Sequence, residues 1–184
     1  MNAPWAPPGR YTVRLTANGT RYEQPLTLRL DPRVKTPAAA LARLHALSSE
    51  MYRGAVETHR AFVNARAVIT QLNGMSGADV DALTAQLEVV APSSATARNI
   101  RGFRRRGAAT TATSLEGAST AMLSAAMAMH NADVAPTASQ VAACAAARAM
   151  GVDVLPKWNA LRATGIAAFN AKRKSAGLPT LTLP

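Results

Sequence analysis

The apolar residues near the N-terminus alternate with polar ones. They occur in two runs, which are Tyr11, Val13 and Leu15, then Leu26, Leu28 and Leu30. A period of two is typical of a β-strand with one buried face. Asn18 and Gly19 lie between the runs, and this pair favours a tight hairpin turn because both residues tolerate positive φ. The pattern therefore predicts an antiparallel β-hairpin.

This hairpin lacks the partners that a stable sheet needs. Two strands alone are marginal in water, and Pro25 cannot donate to a ladder, so the return strand is an edge or is paired on one side only at that point. Tyr11 follows Pro8 and Gly9 in a pattern typical of a tyrosine corner, in which a tyrosine at a strand start ties down the preceding loop of a sandwich. We expect the last hairpin of an immunoglobulin-like sandwich, with an apolar edge or face through which the chain pairs with itself.

From residue 36 onward the apolar spacing changes to steps of three or four, which indicates helices. Thr36 and Pro37 have the residue types of an N-cap and a first helical position. One apolar stripe then runs from Leu41 to Leu72 and predicts a single long helix. Asn73-Gly74 is expected to end this helix with a left-handed cap.

Three further helices have capping signals at their starts. These signals are Ser76-x-x-Asp79, Thr113-x-x-Glu116 and Thr137-x-x-Gln140. Pro156 is expected to kink or break the last helix, Gly165 to weaken it, and Gly177 to end it. The fold class predicted is mainly α: an antiparallel bundle of about four helices, preceded by the N-terminal β-hairpin.

The predicted organisation has three parts. Residues 1–9 form an extended lead, residues 10–35 form the β-hairpin of an incomplete sandwich, and residues 36–184 form the helical bundle with a mobile basic loop at 92–112. Hydrophobic residues make up 48% of the chain but aromatic residues only 4%. Few aromatic side chains limit a large β core and suit closely packed, alanine-rich helices.

The chain is strongly basic, with 21 Lys and Arg residues against 10 Asp and Glu and a net charge of +11. An excess of arginine is typical of a phosphate-binding surface, although a genome rich in G and C also favours Ala and Arg codons. The candidate contacts for nucleic acid or another anion lie in the basic loop beside Phe103. They are Arg101, Arg104, Arg105 and Arg106. A solvated basic loop is the other interpretation, because the charge is dispersed along the chain.

The residue types that carry chemistry are sparse. Cys144 is the single cysteine, so an intrachain disulfide or cysteine metal cluster is excluded, and we expect a small buried apolar residue. His45 and His59 are too far apart on one helix to share a metal and are expected on the surface. His130 is expected to be structural, near a helix end. The sequence contains no nucleophile elbow and no glycine-rich phosphate loop. No catalytic residue, metal ligand or cofactor is therefore assigned, and an enzyme is not expected.

Two segments carry a resemblance to a known family. They are the junction Asp31-Pro32-Arg33-Val34 and the C-terminal residues Trp158-Asn159, Phe169-Asn170 and Gly177-Leu178-Pro179. The region Pro8–Leu183 resembles the C-terminal end of bacterial sortilin-like, BNR (Asp-box) repeat propeller proteins, often labelled glycosyl hydrolase-like. In that family, propellers precede an immunoglobulin-type sandwich and a helical C-terminal region. This chain has no Asp-box repeat, so the resemblance implies that any family activity lies outside it.

The expected function is that of a noncatalytic, C-terminal structural or protein-interaction module, a fragment of a larger propeller protein. Its expected partners are upstream propeller or sandwich domains, or another protein. The sequence has no signal-peptide pattern and no run of 18 apolar residues, so no membrane span is predicted; the resemblance implies a periplasmic or secreted location. The alternative is a small basic helical protein that binds nucleic acid through the loop Arg98–Arg106 and the segment Lys172-Arg173-Lys174.

Overall fold

The computed structural model describes residues 3–93 and 113–183. Its elements are strands β1 (Gly9–Ala17) and β2 (Thr20–Leu28) and helices α1 (Ala38–Leu72), α2 (Ala78–Val90), α3 (Leu115–Ala128), α4 (Ala138–Ala160) and α5 (Ile166–Ser175). A 3-10 turn, Met129–Asn131, extends α3, and a π-helical turn, Leu161–Gly165, joins α4 directly to α5. The prediction of a mainly α fold with an N-terminal β-hairpin is therefore confirmed.

Helices α2 and α3 lie one after the other along α1, and both run antiparallel to it. Near the C-terminal end of α1, Arg66 forms an ion pair with Glu88 of α2. At the middle of α1, Ser119 of α3 donates a hydrogen bond to the carbonyl of Ala55, and nearer the N-terminal end of α1 Ser48 lies 2.9 Å from Nε2 of His130, just after α3. The described helices therefore form three columns, because α2 and α3 share the length of α1, and α4 and α5 are joined end to end.

The third column consists of α4, the π-helical turn and α5, and it runs parallel to α1. An ion pair joins Glu50 of α1 to Arg148 of α4. Further along, the side chain of Gln71 hydrogen-bonds the backbone of Thr182, just after α5. Residue numbers thus increase in the same direction along α1 and along the third column. The bundle therefore has an up-down-up arrangement, with short connections between antiparallel neighbours.

The core has two parts along the bundle axis. The larger part packs large side chains of every helix, among them Leu72, Leu87, Leu115, Trp158 and Ile166. The smaller part, nearer the hairpin, consists of methionines and small residues, among them Met51, Met122, Met129, Cys144 and Ala147. Flexible methionines fill irregular gaps between closely approaching alanine-rich helices, which explains how a chain with few aromatic residues builds this core.

Two of the predicted helix ends at α1 are wrong. The helix begins at Ala38 with Pro37 in the capping position, and no side chain caps it. The hydroxyl of Thr36 instead donates to the carbonyl of Asp133 at 2.6 Å, which attaches the start of α1 to the α3–α4 connection. At the other end Asn73 keeps a right-handed conformation with φ −61°. A left-handed cap is not needed there, because the Met75 N–H donates a hydrogen bond to the Leu72 carbonyl.

The three predicted capping boxes have different outcomes. The box at Thr137 and Gln140 is confirmed in both of its hydrogen bonds. Helix α3 is capped one residue later than predicted, by Ser114, whose hydroxyl accepts the Gly117 N–H. The Ser76-x-x-Asp79 box is not formed, because Gly77 occupies the capping position and the Asp79 carboxylate pairs with an arginine of α5.

Pro156 neither ends nor interrupts the helix in which it lies. Pro156 is on the exposed side of α4, where the Val152 carbonyl, which loses its N–H partner to the proline, can bind water. The irregularity falls further along, where Leu161–Gly165 form the π-helical turn. The predicted end of the helix is confirmed, since Gly177 has a positive φ of 67°.

Candidate functional site: the hairpin and its junction with the bundle

The hairpin forms as its turn residues predict. Strands β1 and β2 pair in register from Gly9 opposite Leu28 to Ala17 opposite Thr20. Asn18 and Gly19 connect them with φ values of 50° and 76°. Positive φ at both central residues defines the tight turn whose twist matches that of the strands.

One face of the hairpin is apolar and uncovered. Because side chains alternate between faces and opposed residues share a face, the register places five large side chains together. They are Tyr11, Val13, Leu15, Tyr22 and Leu26. Val13 is 52% exposed, Leu15 61% and Tyr22 56%. A contiguous apolar patch of this kind typically marks an interaction surface.

The opposite face of the hairpin is polar and basic. It includes Arg10, Arg14 and Arg21, and Arg14 forms a cross-strand ion pair with Glu23 at 2.7 Å. A sheet with one apolar and one charged face has the pattern of a sandwich sheet whose inner face packs on a second sheet. Among the described residues these two strands form the only sheet, so the apolar face has no second sheet there.

The two outer edges of the hairpin differ in their capacity to accept another strand. A two-residue turn closes on a hydrogen-bonded pair, here Ala17 and Thr20, and hydrogen-bonded and non-hydrogen-bonded pairs then alternate. Thr12 and Pro25 therefore form a non-hydrogen-bonded pair, and the backbone groups of both point outward. Since proline has no N–H, the outer edge of β2 lacks a donor, whereas the outer edge of β1 is complete.

The base of the hairpin is tied to the lead segment. The hydroxyl of Tyr11 donates to the carbonyl of Pro7 at 2.5 Å. This is the tie that the tyrosine-corner pattern predicts. It fixes the residues before β1 at the point where the hairpin meets the bundle.

A cavity of about 640 Å³ lies at the junction between the lead segment, the end of β2 and α1. Its apolar wall includes Leu28, Leu41, Leu44 and Met129. Polar groups at its border are His45, Ser48, His130 and Asp133. A concave apolar site with a few convergent polar groups has the composition of a binding pocket.

Trp5 lines this cavity and contacts two histidines, while its side chain stays 56% exposed. Its indole ring stacks on the imidazole of His130, with ring centroids 5.7 Å apart and planes inclined by 14°. His130 Nε2 is in turn 2.9 Å from the hydroxyl oxygen of Ser48. His45 Nδ1 lies 3.1 Å from the carbonyl oxygen of Trp5, so Nδ1 must carry the proton and donate it.

The histidine predictions are therefore only partly right. His45 is half-buried and bonded to the lead segment, so its placement on the open surface is wrong. His130 has the structural role expected for it, although its contacts are Ser48 and Trp5. The spacing of residues gave no sign of this cluster, because Trp5 and His130 are distant in sequence. The one available hint was a tryptophan in a proline-rich lead, because the large apolar surface of a tryptophan ring favours packing against a partner.

The basic residues singled out from the sequence divide into two groups. Arg101, Arg104, Arg105 and Arg106 lie outside the described residues, as do all residues from 94 to 112. Arg173 is described, and it is only 3% exposed and paired with Asp79. Its predicted availability to nucleic acid is therefore wrong, while Lys172 and Lys174 beside it are exposed.

Cys144 is buried as predicted, and burial raises the pKa of its thiol. A buried neutral thiol behaves as a small apolar group. Across residues 3–93 and 113–183, His, Cys, Asp and Glu side chains form no group of three or more that could hold a metal ion. Within the same residues, no helix has the length and apolar character needed to cross a bilayer.

No family model, curated protein or solved structure matches the chain. The geometry of the hairpin and its junction is therefore the basis for a functional assignment.

Proposed function

We propose that this chain is a noncatalytic structural and protein-interaction module whose hairpin completes a β-sandwich with a partner. The partner is a β-domain, either of a larger protein to which the chain belongs or of a separate protein. The exposed apolar face of Val13, Leu15, Tyr22 and Leu26 on a regular hairpin is the observation that supports this role. Such a face gains stability only when another apolar surface covers it.

We infer the docking mode from the strand edges and the apolar face of the hairpin. A partner strand pairs with the outer edge of β1, because Pro25 removes a donor from the outer edge of β2. The apolar face then packs on the second sheet of the partner, about 10 Å away as in other sandwiches. Main-chain pairing supplies affinity and the side chains of the apolar face supply selectivity, as in other cases of strand addition.

The contacts at the junction determine the direction in which the hairpin points. Tyr11 holds Pro7, His45 holds the carbonyl of Trp5, and His130 stacks on the Trp5 ring. These contacts attach the base of the hairpin to α1 and to the end of α3. The bundle is thus a rigid support that presents the hairpin, which lowers the entropy lost on docking.

The isolated chain provides a test, because a second copy can supply the missing edge and face. We expect reversible, concentration-dependent association in sedimentation velocity experiments. The double variant Val13→Thr/Leu15→Thr keeps the strand propensity of both positions but replaces the two aliphatic side chains that β1 contributes to the apolar face, so it should associate much more weakly. The matched control Arg10→Thr/Arg21→Thr changes the opposite face of the same hairpin and should associate as the wild type does.

The variant Thr12→Pro tests the edge separately. The N–H of Thr12 points outward, so its loss blocks strand addition at β1 without removing a bond within the hairpin. We expect this variant to be monomeric while circular dichroism remains unchanged. A wild-type chain that stays monomeric at about millimolar concentration, with hairpin amides as protected from hydrogen exchange as those of α1, would overturn the proposal, because the hairpin would then need no partner.

A further inference from the structure

A second groove lies on the bundle away from the hairpin junction. It has a volume of about 610 Å³ and runs between α1 and the segment that spans the end of α4 and the π-helical turn. Arg53, Glu57 and Arg60 line it from α1, and Asn159 and Arg162 line it from the other side. The volume is within the range of small-molecule binding sites.

The three arginines of this groove have unused donors. None of Arg53, Arg60 and Arg162 forms an ion pair with any residue of 3–93 or 113–183. By contrast, Arg66 on the same helix is paired with Glu88. Three arginines and Asn159 therefore line one groove together with a single acidic residue, Glu57. A guanidinium presents a planar fork of donors that matches the oxygens of a phosphate.

The backbone next to the groove is unusual where Arg162 projects. Arg162 lies in the π-helical turn Leu161–Gly165, which interrupts an otherwise α-helical column. Single π turns are rare, and they occur frequently at functional sites. This irregularity is independent of the charge pattern, and it coincides with the one groove arginine that does not belong to α1.

The remaining lining residues narrow the class of ligand. Glu57 is an acceptor only, so it suits a ligand that offers hydroxyl donors as well as negative charge. Tyr52 is half-buried at the border of the groove and Trp158 lies against it, so the cavity also has an aromatic surface. A ligand with one phosphate, hydroxyl groups and a ring fits these groups better than a bare anion does.

We propose that the groove lined by Arg53, Arg60 and Arg162 binds a small phosphate monoester that carries hydroxyl groups, such as a sugar phosphate or a nucleoside monophosphate. The arginines hold the phosphate, and Glu57 accepts a hydrogen bond from a hydroxyl. The proposal is independent of the hairpin, because the groove and the junction cavity have no lining residue in common.

Isothermal titration calorimetry of the full chain at about 0.15 M salt, a Debye length of roughly 8 Å, tests this proposal with three probes. They are inorganic phosphate, ribose 5-phosphate and adenosine monophosphate. We expect both monoesters to bind with one site per chain and more tightly than inorganic phosphate. Arg60→Ala and Arg162→Ala should each weaken monoester binding by about tenfold or more, the loss expected for a hydrogen bond to a charged group.

Two further variants separate a specific site from general charge attraction. Arg43→Ala removes an exposed arginine of the same helix outside the groove and should leave the affinity unchanged. Glu57→Gln should raise the affinity for inorganic phosphate, because it removes a repulsive charge, and should raise the affinity for ribose 5-phosphate less.

Three results would overturn the proposal: no saturable binding of either monoester, an equal loss in Arg43→Ala and Arg60→Ala, or binding of single-stranded oligonucleotides alone. The last result would identify the groove as part of a nucleic-acid surface. Trp158 fluorescence in a Trp5→Phe background provides an independent readout, since it reports on the groove but not on the hairpin junction. A fluorescence change that saturates together with the calorimetric binding curve supports the proposal, because Trp158 lines the groove.

Discussion

Arg173 of α5 donates its Nε–H to Oδ2 of Asp79 at 3.0 Å, and the carboxylate belongs to the first turn of α2. The same guanidinium donates from Nη2 to the carbonyl of Ser76 at 2.7 Å and lies 5.2 Å from the ring centroid of Phe169. Only 4% of the Arg173 side chain is exposed. The last helix of the chain is thereby attached to the start of the second, which closes the end of the bundle opposite the hairpin.

We predict that Arg173→Met strongly destabilises the bundle. The substitution leaves the Asp79 carboxylate and the Ser76 carbonyl without their donor, and it removes the buried side chain that attaches the last helix to the start of α2. Urea denaturation followed by circular dichroism measures the change. Lys172→Met is the control, because Lys172 is exposed on the same helix. Equal midpoints for the two variants would contradict the assigned role of Arg173.

The same ion pair predicts a loss of stability in acid. Burial, the largest single effect, would raise the pKa of Asp79. The hydrogen bond and the charge of Arg173, together with backbone hydrogen bonds at Asp79 and Val80, outweigh it and lower the pKa below its ordinary value. A carboxyl group with a lower pKa in the folded state stabilises the fold above its unfolded pKa, near pH 4, and this contribution disappears as the pH falls through the folded pKa. The Arg148 guanidinium lowers the pKa of Glu50 in the same direction.

The measurement is urea denaturation of the wild type and of Asp79→Asn between pH 7 and pH 2. The free energy of unfolding of the wild type should exceed that of the variant at neutral pH, and the difference should shrink below about pH 4. If the difference in the free energy of unfolding stayed constant over this range, the protonation of Asp79 would not be linked to unfolding.

Met122 lies between two glycines, and we predict that the three residues are energetically coupled. A Cβ atom at Gly54 would lie 2.5 Å from Met122 Sδ, and a Cβ atom at Gly151 would lie 2.5 Å from Met122 Cε. Gly54 and Gly151 approach the Met122 side chain from two different helices, so this side chain has little room to move. Gly54→Ala should therefore destabilise the wild type by about 1–2 kcal/mol through overpacking. In a Met122→Ala background the clash is absent, and the same change should stabilise by up to about 1 kcal/mol through helix propensity.

Thermal or urea denaturation of the four proteins in this double-mutant cycle gives the coupling free energy, expected to be about 1–3 kcal/mol. Gly165→Ala is the control, since its Cβ would meet only ordinary contacts, the nearest at 3.5 Å. Additive effects of Gly54→Ala and Met122→Ala would show that the methionine moves away freely.

Cys144 should be unreactive in the native protein. Burial in the methionine-rich part of the core raises the pKa of the thiol and excludes reagents. We expect an aromatic disulfide reagent at pH 8 to react at least about a hundredfold more slowly with the native chain than with the chain in urea. Equal rates would show that this part of the bundle opens readily. Cys144→Ala should be tolerated better than Cys144→Ser, because a buried hydroxyl without a partner costs about 1–3 kcal/mol.

Tyr11→Phe should loosen the base of the hairpin without affecting the bundle. The variant loses the hydrogen bond to the carbonyl of Pro7. Because this bond is exposed to solvent, it contributes only about 0.5–1.5 kcal/mol to stability. Hydrogen exchange should become faster at β1 and β2 and stay unchanged in α1. Tyr22→Phe is the control on the same face, and faster exchange in that variant as well would contradict a specific role for the Tyr11 hydroxyl.

Local patterns in the sequence were enough to predict the elements of this fold. The Asn18-Gly19 turn, the alternation around it and the capping box at Thr137 and Gln140 were all confirmed. Each depends on residues a few positions apart, whose backbone preferences act before any tertiary contact forms. The exposed apolar face of the hairpin also follows from the alternation alone, once no second sheet accompanies it.

The tertiary structure decided which distant residues meet, and it overrode local preferences where the two conflicted. Asp79 has the residue type of a capping box, but it pairs with Arg173, which is 94 positions away. Trp5 and His130 stack, and α2 and α3 share one side of α1. Neither spacing nor composition encodes these relationships, because they depend on how helices of unequal length pack against each other. The buried guanidinium of Arg173 requires a carboxylate partner, whereas the N–H groups at a helix start without a side-chain cap can bind water instead.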